Sequence, residues 1–137
     1  MLRIVLDTNV LVASISQKSP FHWVWTAFLQ GKYQLCITTD ILDEYAEIIE
    51  RYFSITDAEN TLAQIMLGQN TIQIIRYYEW NAITQDPDDN KFFDCAVAAN
   101  AHYIVSEDKH FNILKQIPFP SVERIKTKDF KVVIANL

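Results

Sequence analysis

Glycine is scarce in this chain, with two in 137 residues, and proline occurs four times, so the sequence leaves little room for linkers or low-complexity tracts. No internal repeat is visible, and half of the residues are hydrophobic, which points to one compact domain over residues 1–137 with short connections. Long apolar runs are missing as well. Apolar stretches such as Ile4 to Leu6 and Ile72 to Ile75 fall far short of the roughly 20 residues a membrane helix needs, so no membrane association is expected. Only two cysteines are present, Cys36 in a strand-like run and Cys95 in a helical one, without the paired spacing of zinc or redox motifs. They read as reduced, buried core thiols. The three histidines, His22, His102 and His110, form no pair at i and i+4, which argues against a zinc-type hydrolase. A metal in this chain would take oxygen ligands, and carboxylate sites suit Mg²⁺ or Mn²⁺. Met1-Leu2-Arg3 runs directly into a strand pattern ending at Asp7, so a cleaved leader would remove a candidate site residue, and a cytoplasmic location is expected.

What the chain does have is acid, placed unevenly. The net charge is −5, with seven acids and one base from Asp40 to Glu59, against six bases and two acids from Lys109 to Lys131. Such asymmetry suits an acidic metal pocket beside a basic surface that could hold a polyanion, or simply a solvated basic face.

Hydrophobic periodicity gives the order of elements. Residues 2–6, 34–38, 71–75, 103–106 and 122–125 read as strands, several with nearly continuous apolar runs. Helical patterns fall near 9–16, 20–31 (with Gly31 as a stop), from Thr39 or Asp40 to about Tyr52, from Thr56 or Asp57 to about Gly68, 90–101 and 109–115. Strands separated by helices predict an α/β fold, a three-layer sandwich around a mostly parallel sheet.

Four carboxylates stand at the junctions of these elements: Asp7 after the first strand, Glu44 about a turn into the helix after the second strand, Asp94 about a turn into the helix before the fourth strand, and Asp108 after that strand. In an open parallel sheet ligands bind beyond the carboxyl ends of the strands, and all four acids can reach that edge. Two unit charges about 4 Å apart repel by roughly 4 kcal/mol at an effective dielectric of 20, so clustered carboxylates must take up protons or cations.

Three stretches then carry a resemblance: Leu6-Asp7-Thr8-Asn9-Val10-Leu11, Asp94-Cys95-Ala96-Val97-Ala98-Ala99, and Ile104-Val105-Ser106-Glu107-Asp108-Lys109-His110-Phe111. Together they resemble a PIN domain. From Asp86-Pro87-Asp88-Asp89-Asn90-Lys91-Phe92-Phe93 onward the chain is similar to the branch of toxins in bacterial toxin–antitoxin systems, the VapC-like proteins. The resemblance spans residues 2 to about 125. It implies a Mg²⁺- or Mn²⁺-dependent endoribonuclease acting on single-stranded RNA, restrained by a cognate antitoxin protein and able to form a homodimer.

Carried over position by position, the resemblance makes Asp7, Glu44, Asp94 and Asp108 the catalytic and metal-binding acids. Asp40, Asp43 and Glu47 stand near the second of these, and Glu44 is favoured because Ile41, Tyr45 and Ile48 flank its stripe as core residues. Ser106 replaces the usual threonine but keeps the hydroxyl, and Glu107 adds an unexpected charge. Asn9 and Ser106 would orient the ligands, and Lys91, Lys109 and His110 are candidate phosphate contacts. A metal held this way would activate water against a phosphodiester, so no side-chain nucleophile is needed.

Turn formation and helix capping account for Asp86, Asp88 and Asp89, which could otherwise extend the metal cluster. Phe21, Trp25 and Phe28 recur at helical spacing as a core or dimer face, whereas Trp23 falls off the stripe and reads as a partner contact. Two other classes compete. A phosphatase of the haloacid dehalogenase type also begins with a strand-end aspartate, but it needs a second aspartate where this chain has Asn9. A catalytically silent PIN domain that only binds nucleic acid or protein is the main alternative.

Overall fold

The computed structural model describes residues 1–137. Its centre is a five-stranded, wholly parallel sheet: β1 (Arg3–Leu6), β2 (Gln34–Ile37), β3 (Thr71–Gln73), β4 (Tyr103–Val105) and β5 (Arg124–Ile125), in the order β3-β2-β1-β4-β5. The inner strands are the continuous apolar runs, and Ile4, Val5, Leu35, Cys36, Ile37, Ile104 and Val105 are all fully buried. Runs without alternation are what a sheet covered on both faces requires. Register locks β1 between its neighbours, Ile4 lying opposite Leu35 on one side and Tyr103 on the other.

Six helices surround the sheet: α1 (Thr8–Ser14), α2 (His22–Leu29), α3 (Thr39–Tyr52), α4 (Ile55–Leu67), α5 (Asn90–Ala99) and α6 (Thr127–Ala135). From β1 the chain adds β2 and β3 on one side, then returns to add β4 and β5 on the other. Right-handed crossovers in opposite directions put helices on both faces, which makes three layers, with α5 packed over β1, β2 and β4. The reversal also creates a switch point between β1 and β4, and Asp7 and Asp108 lie just beyond the carboxyl ends of those strands.

Local chemistry adjusts several expected boundaries. Thr38, not Thr39 or Asp40, caps α3, its side chain accepting from the Ile41 amide at 3.3 Å, and Ser54 caps α4 through the Asp57 amide at 3.0 Å. The expected helix at 109–115 is a 3-10 helix, Lys109–Gln116, and the expected last strand shrinks to two residues. Helix α6 was not foreseen, because Lys131-Val132-Val133-Ile134 is rich in β-branched residues. Phe130 anchors it by packing on Trp23 at 5.5 Å and Tyr33 at 5.2 Å between ring centroids. Trp23 is therefore half-buried under α6 rather than displayed for a partner, while Trp25 and Phe28 join the core as their stripe predicts. No helix is long and apolar enough to cross a membrane.

The two buried tyrosines satisfy their hydroxyls on backbone, Tyr33 donating to Val24 at 2.8 Å and Tyr45 to the Leu6 carbonyl at 2.5 Å, beside Asp7. Both cysteines are fully buried, and burial pushes the Cys36 thiol up to about 11 and that of Cys95 upward as well. A buried, protonated thiol is a poor nucleophile. A disulfide-exchange reagent should therefore find neither cysteine in the native protein at pH 8 and both after unfolding in guanidinium; rapid native labelling would contradict this packing.

Candidate metal centre

Asp7 is the N-cap residue of α1 and only 6% exposed. Its amide donates to the Val105 carbonyl at 3.0 Å, which ties the end of β1 to the end of β4. The Ser106 hydroxyl donates to Asp7 Oδ2 at 2.7 Å and accepts from the Asp108 amide at 2.9 Å, so one residue fixes both strand-end aspartates. Arg124 adds a second restraint, donating to the Asp108 carbonyl at 2.9 Å. Burial raises the Asp7 carboxyl above its ordinary range, the Ser106 bond opposes the rise, and the charges of Asp108 and Glu44 add to it.

Glu44 reaches the same region from α3. The Thr8 hydroxyl donates to its Oε2, and Lys91 Nζ pairs with Oε1 at 2.9 Å. Tyr45 and Ile41 beside it are fully buried, in line with the stripe that selected Glu44, whereas Asp43 and Glu47 are exposed. Thr8, though inside the Leu6–Leu11 motif, was not singled out from sequence; its role depends on the α1 and α3 helices meeting. Lys91, expected as a phosphate contact, pairs here with Glu44, and its ammonium also donates to the Asp88 carbonyl at 2.7 Å.

A cavity of about 280 Å³ opens over Asp7 and Asp108, lined also by Asn9, Phe21, Glu107 and Thr127. Glu107 is accounted for by the helix that sequence reading missed: its Oε2 accepts from the Thr127 amide at 3.0 Å, at the start of α6. Lys109 is exposed on the far side of the Asp108 turn.

Asp94 lies elsewhere. It is 3% exposed and accepts from the Trp80 amide at 3.1 Å, and it borders a second depression of about 270 Å³ with Asp40, Tyr77, Glu79 and Lys91. Burial raises its carboxyl, the Trp80 bond opposes this, and the acids that add to the rise are Glu79 and Asp40, not Asp7 or Asp108. The acid on which the charges of Asp7 and Asp108 act is Asp89, five residues earlier. Its carboxyl is pushed up to about 7, first by burial and then by Asp86, Asp7 and Asp108, with His110 opposing. Five residues turn a helix by about 140°, so Asp89 and Asp94 cannot both face one cleft.

The turn-and-cap reading of the Asp86–Asp89 run also changes. Neither Asp86 nor Asp89 makes a side-chain capping bond, and Asp89 Oδ2 is buried without any hydrogen-bond partner. The signal was the run itself, three aspartates ahead of a helix whose amides they do not cap.

The candidate donors around this edge are oxygen atoms of Asp7, Glu44, Asp89 and Asp108, with Lys91 set against Glu44 and His110 against Asp89 and Asp108. A buried carboxylate lacking a partner and three others held together by neutral hydroxyls and an amide make a set that fits a hard divalent cation.

The sequence profile described as PIN domain matches residues 3–110. Among solved structures, the chain is similar to a chain in the crystal structure of VapBC2 from Rickettsia felis bound to a DNA fragment from their promoter, with a TM-score of 0.61 and 16% identity, covering 91% of this chain and 98% of that one. At that identity the likeness carries the fold, a parallel sheet with helices on both sides. No curated protein sequence matches.

Proposed function

This chain belongs to the PIN domain family, and on that premise we propose that it is a metal-dependent endoribonuclease that cleaves single-stranded RNA, working in the cytoplasm as the toxin of a toxin–antitoxin pair. The observation that carries the nuclease reading is the Asp7–Ser106–Asp108 bridge at the β1/β4 switch point, with Glu44 and Asp89 converging on it. Support for the toxin role comes from the VapC-like stretch beginning at Asp86 and from the fold shared with the VapBC2 chain.

Asp7, Glu44 and Asp108 would hold Mg²⁺ or Mn²⁺, with Asp89 in the place first given to Asp94. When bound, such an ion lowers the pKa of water and offsets charge on the phosphodiester. The chain's own residues set the stage for that. Ser106 keeps the two strand-end carboxylates in fixed relation, Thr8 orients Glu44, and Lys91 holds Glu44 from the other side until substrate and metal compete for it. Asn9, on the cavity rim, is placed to contact a ligand.

The test is cleavage of a single-stranded RNA by purified protein, required to depend on added Mg²⁺ or Mn²⁺ and to stop with a chelator. Asp89→Asn should lower the rate about 10²-fold or more, the scale of losing one preorganised electrostatic contact, and Asp94→Asn less than about tenfold. No cleavage with either metal would refute the nuclease reading, and the reverse order of the two variants would restore Asp94 to the site. Ser106→Ala should weaken metal binding by about 10- to 100-fold, as seen when ligand-orienting hydrogen bonds are removed, and cost about 1–3 kcal/mol of stability by unpairing the Asp7 carboxylate and the Asp108 amide; equal affinity would mean the bridge is not needed.

A further inference from the structure

Beside the proposed nuclease acids, three ligand atoms face one another without bonding. His110 Nδ1 lies 3.6 Å from Asp86 Oδ2 and 3.7 Å from Asp89 Oδ2, and the ligand atoms of the three residues all fall within 4.8 Å of one another. Asp89 is 9% exposed, its Oδ2 has no hydrogen-bond partner, and the buried Nδ1 of His110 has none either. An acid and an imidazole left unpaired in contact range is a costly arrangement unless a group between them satisfies both.

We infer that Asp86, Asp89 and His110 form a second cation position, sharing Asp89 with the proposed Asp7, Glu44 and Asp108 centre beside it, which takes a divalent ion of the zinc or cobalt type. The spacing supports this directly. Separations of 3.6–3.7 Å are too long for hydrogen bonds. They are close to the edge of a tetrahedron whose centre lies about 2.1 Å from each corner, roughly 3.4 Å, which is the geometry of zinc with nitrogen and oxygen ligands. The donor chemistry agrees, because one imidazole with two carboxylates favours zinc-like ions, whereas Mg²⁺ prefers all-oxygen surroundings. Three protein ligands leave a fourth place open, and the Asp86 and His110 side chains are 39% and 37% exposed, so solvent can reach it.

The backbone also favours a fixed position. Asp86 and Asp89 flank a 3-10 turn over Pro87–Asp89, closed by the Asp89 amide on the Asp86 carbonyl at 3.0 Å. On the other side the Asp108 carboxylate accepts the His110 amide at 2.8 Å, which holds the backbone that carries the ring. Asp108 Oδ1 is itself 3.4 Å from Nδ1, so this residue borders both positions.

Titrating the metal-free chain with Co²⁺ and following its visible absorption tests the inference, with Zn²⁺ calorimetry alongside. The wild-type chain should show a low-coordinate Co²⁺ band and bind Zn²⁺ at least about tenfold more tightly than His110→Ala or Asp86→Asn, both of which should lose the band. The Mg²⁺ affinity of both variants should stay within about threefold of wild type. Identical Co²⁺ spectra and Zn²⁺ affinities in all three proteins would overturn it, as would His110 ring resonances unmoved by Zn²⁺, which would leave the imidazole as a plain counter-ion for the acids. Matching thermal unfolding of the three proteins shows that the variants fold. RNA cleavage in Mg²⁺ is read separately, so its absence refutes the nuclease reading without touching this one.

Discussion

Asp7→Asn is expected to reduce RNA cleavage by about 10²- to 10³-fold and to leave the metal-free protein as stable as before, or more so. Both halves follow from one environment. Asp7 is buried, which raises its carboxyl, and the charges of Asp108 and Glu44 add to the rise. Holding the acid ionised there costs the metal-free chain stability, because burial and like charge both disfavour the anion. The amide keeps an oxygen to accept from Ser106, so the shape and hydrogen bond survive while the repulsion goes. A substitution that stabilises the chain while removing its activity marks a site kept under strain for binding. Unchanged cleavage would dismiss Asp7 from the chemistry. A large fall in metal-free stability would instead make it a structural residue.

Phe130→Ala should cost about 3–5 kcal/mol, the range for removing a buried aromatic ring from a close-packed core. Phe130 is fully buried and joins Trp23 of α2 to Tyr33 at the entrance to β2. Without it α6 loses its main anchor. The start of α6 is also where Glu107 binds the Thr127 amide, on the rim of the cavity over Asp7 and Asp108. Cleavage should therefore weaken along with stability. Urea denaturation reads the effect as a lower midpoint at a similar slope. A loss below about 1 kcal/mol would mean that α6 is only loosely attached.

Much of the architecture was legible because parallel strands bury both faces and leave plain apolar runs. Ile4-Val5-Leu6, Leu35-Cys36-Ile37 and Tyr103-Ile104-Val105 announced three strands, and their turns placed Asp7 and Asp108 at one edge. The core-facing stripe beside Glu44 was legible, and Ile41 and Tyr45 are fully buried as it requires. Helix α6 was not, since its β-branched residues carry weak helix propensity and it is held by tertiary contacts, above all Phe130 docking on distant aromatic rings. The surroundings of the two aspartates near α5 were not legible either. A shift of five residues changes the face, and only the fold shows that the charges of Asp7 and Asp108 act on Asp89, while Asp94 accepts from the Trp80 amide and feels Glu79 and Asp40. Lys91 followed the same rule. A lone lysine in sequence suits a phosphate, but three-dimensional proximity gives it Glu44.

Calorimetric titration of Mn²⁺ into the metal-free wild-type chain and into Asp7→Asn tests most directly whether these acids converge to hold a metal. The wild type should bind, and the variant should lose that binding. Silence in the wild type, or the same isotherm in both proteins, would contradict the metal centre at the β1/β4 edge.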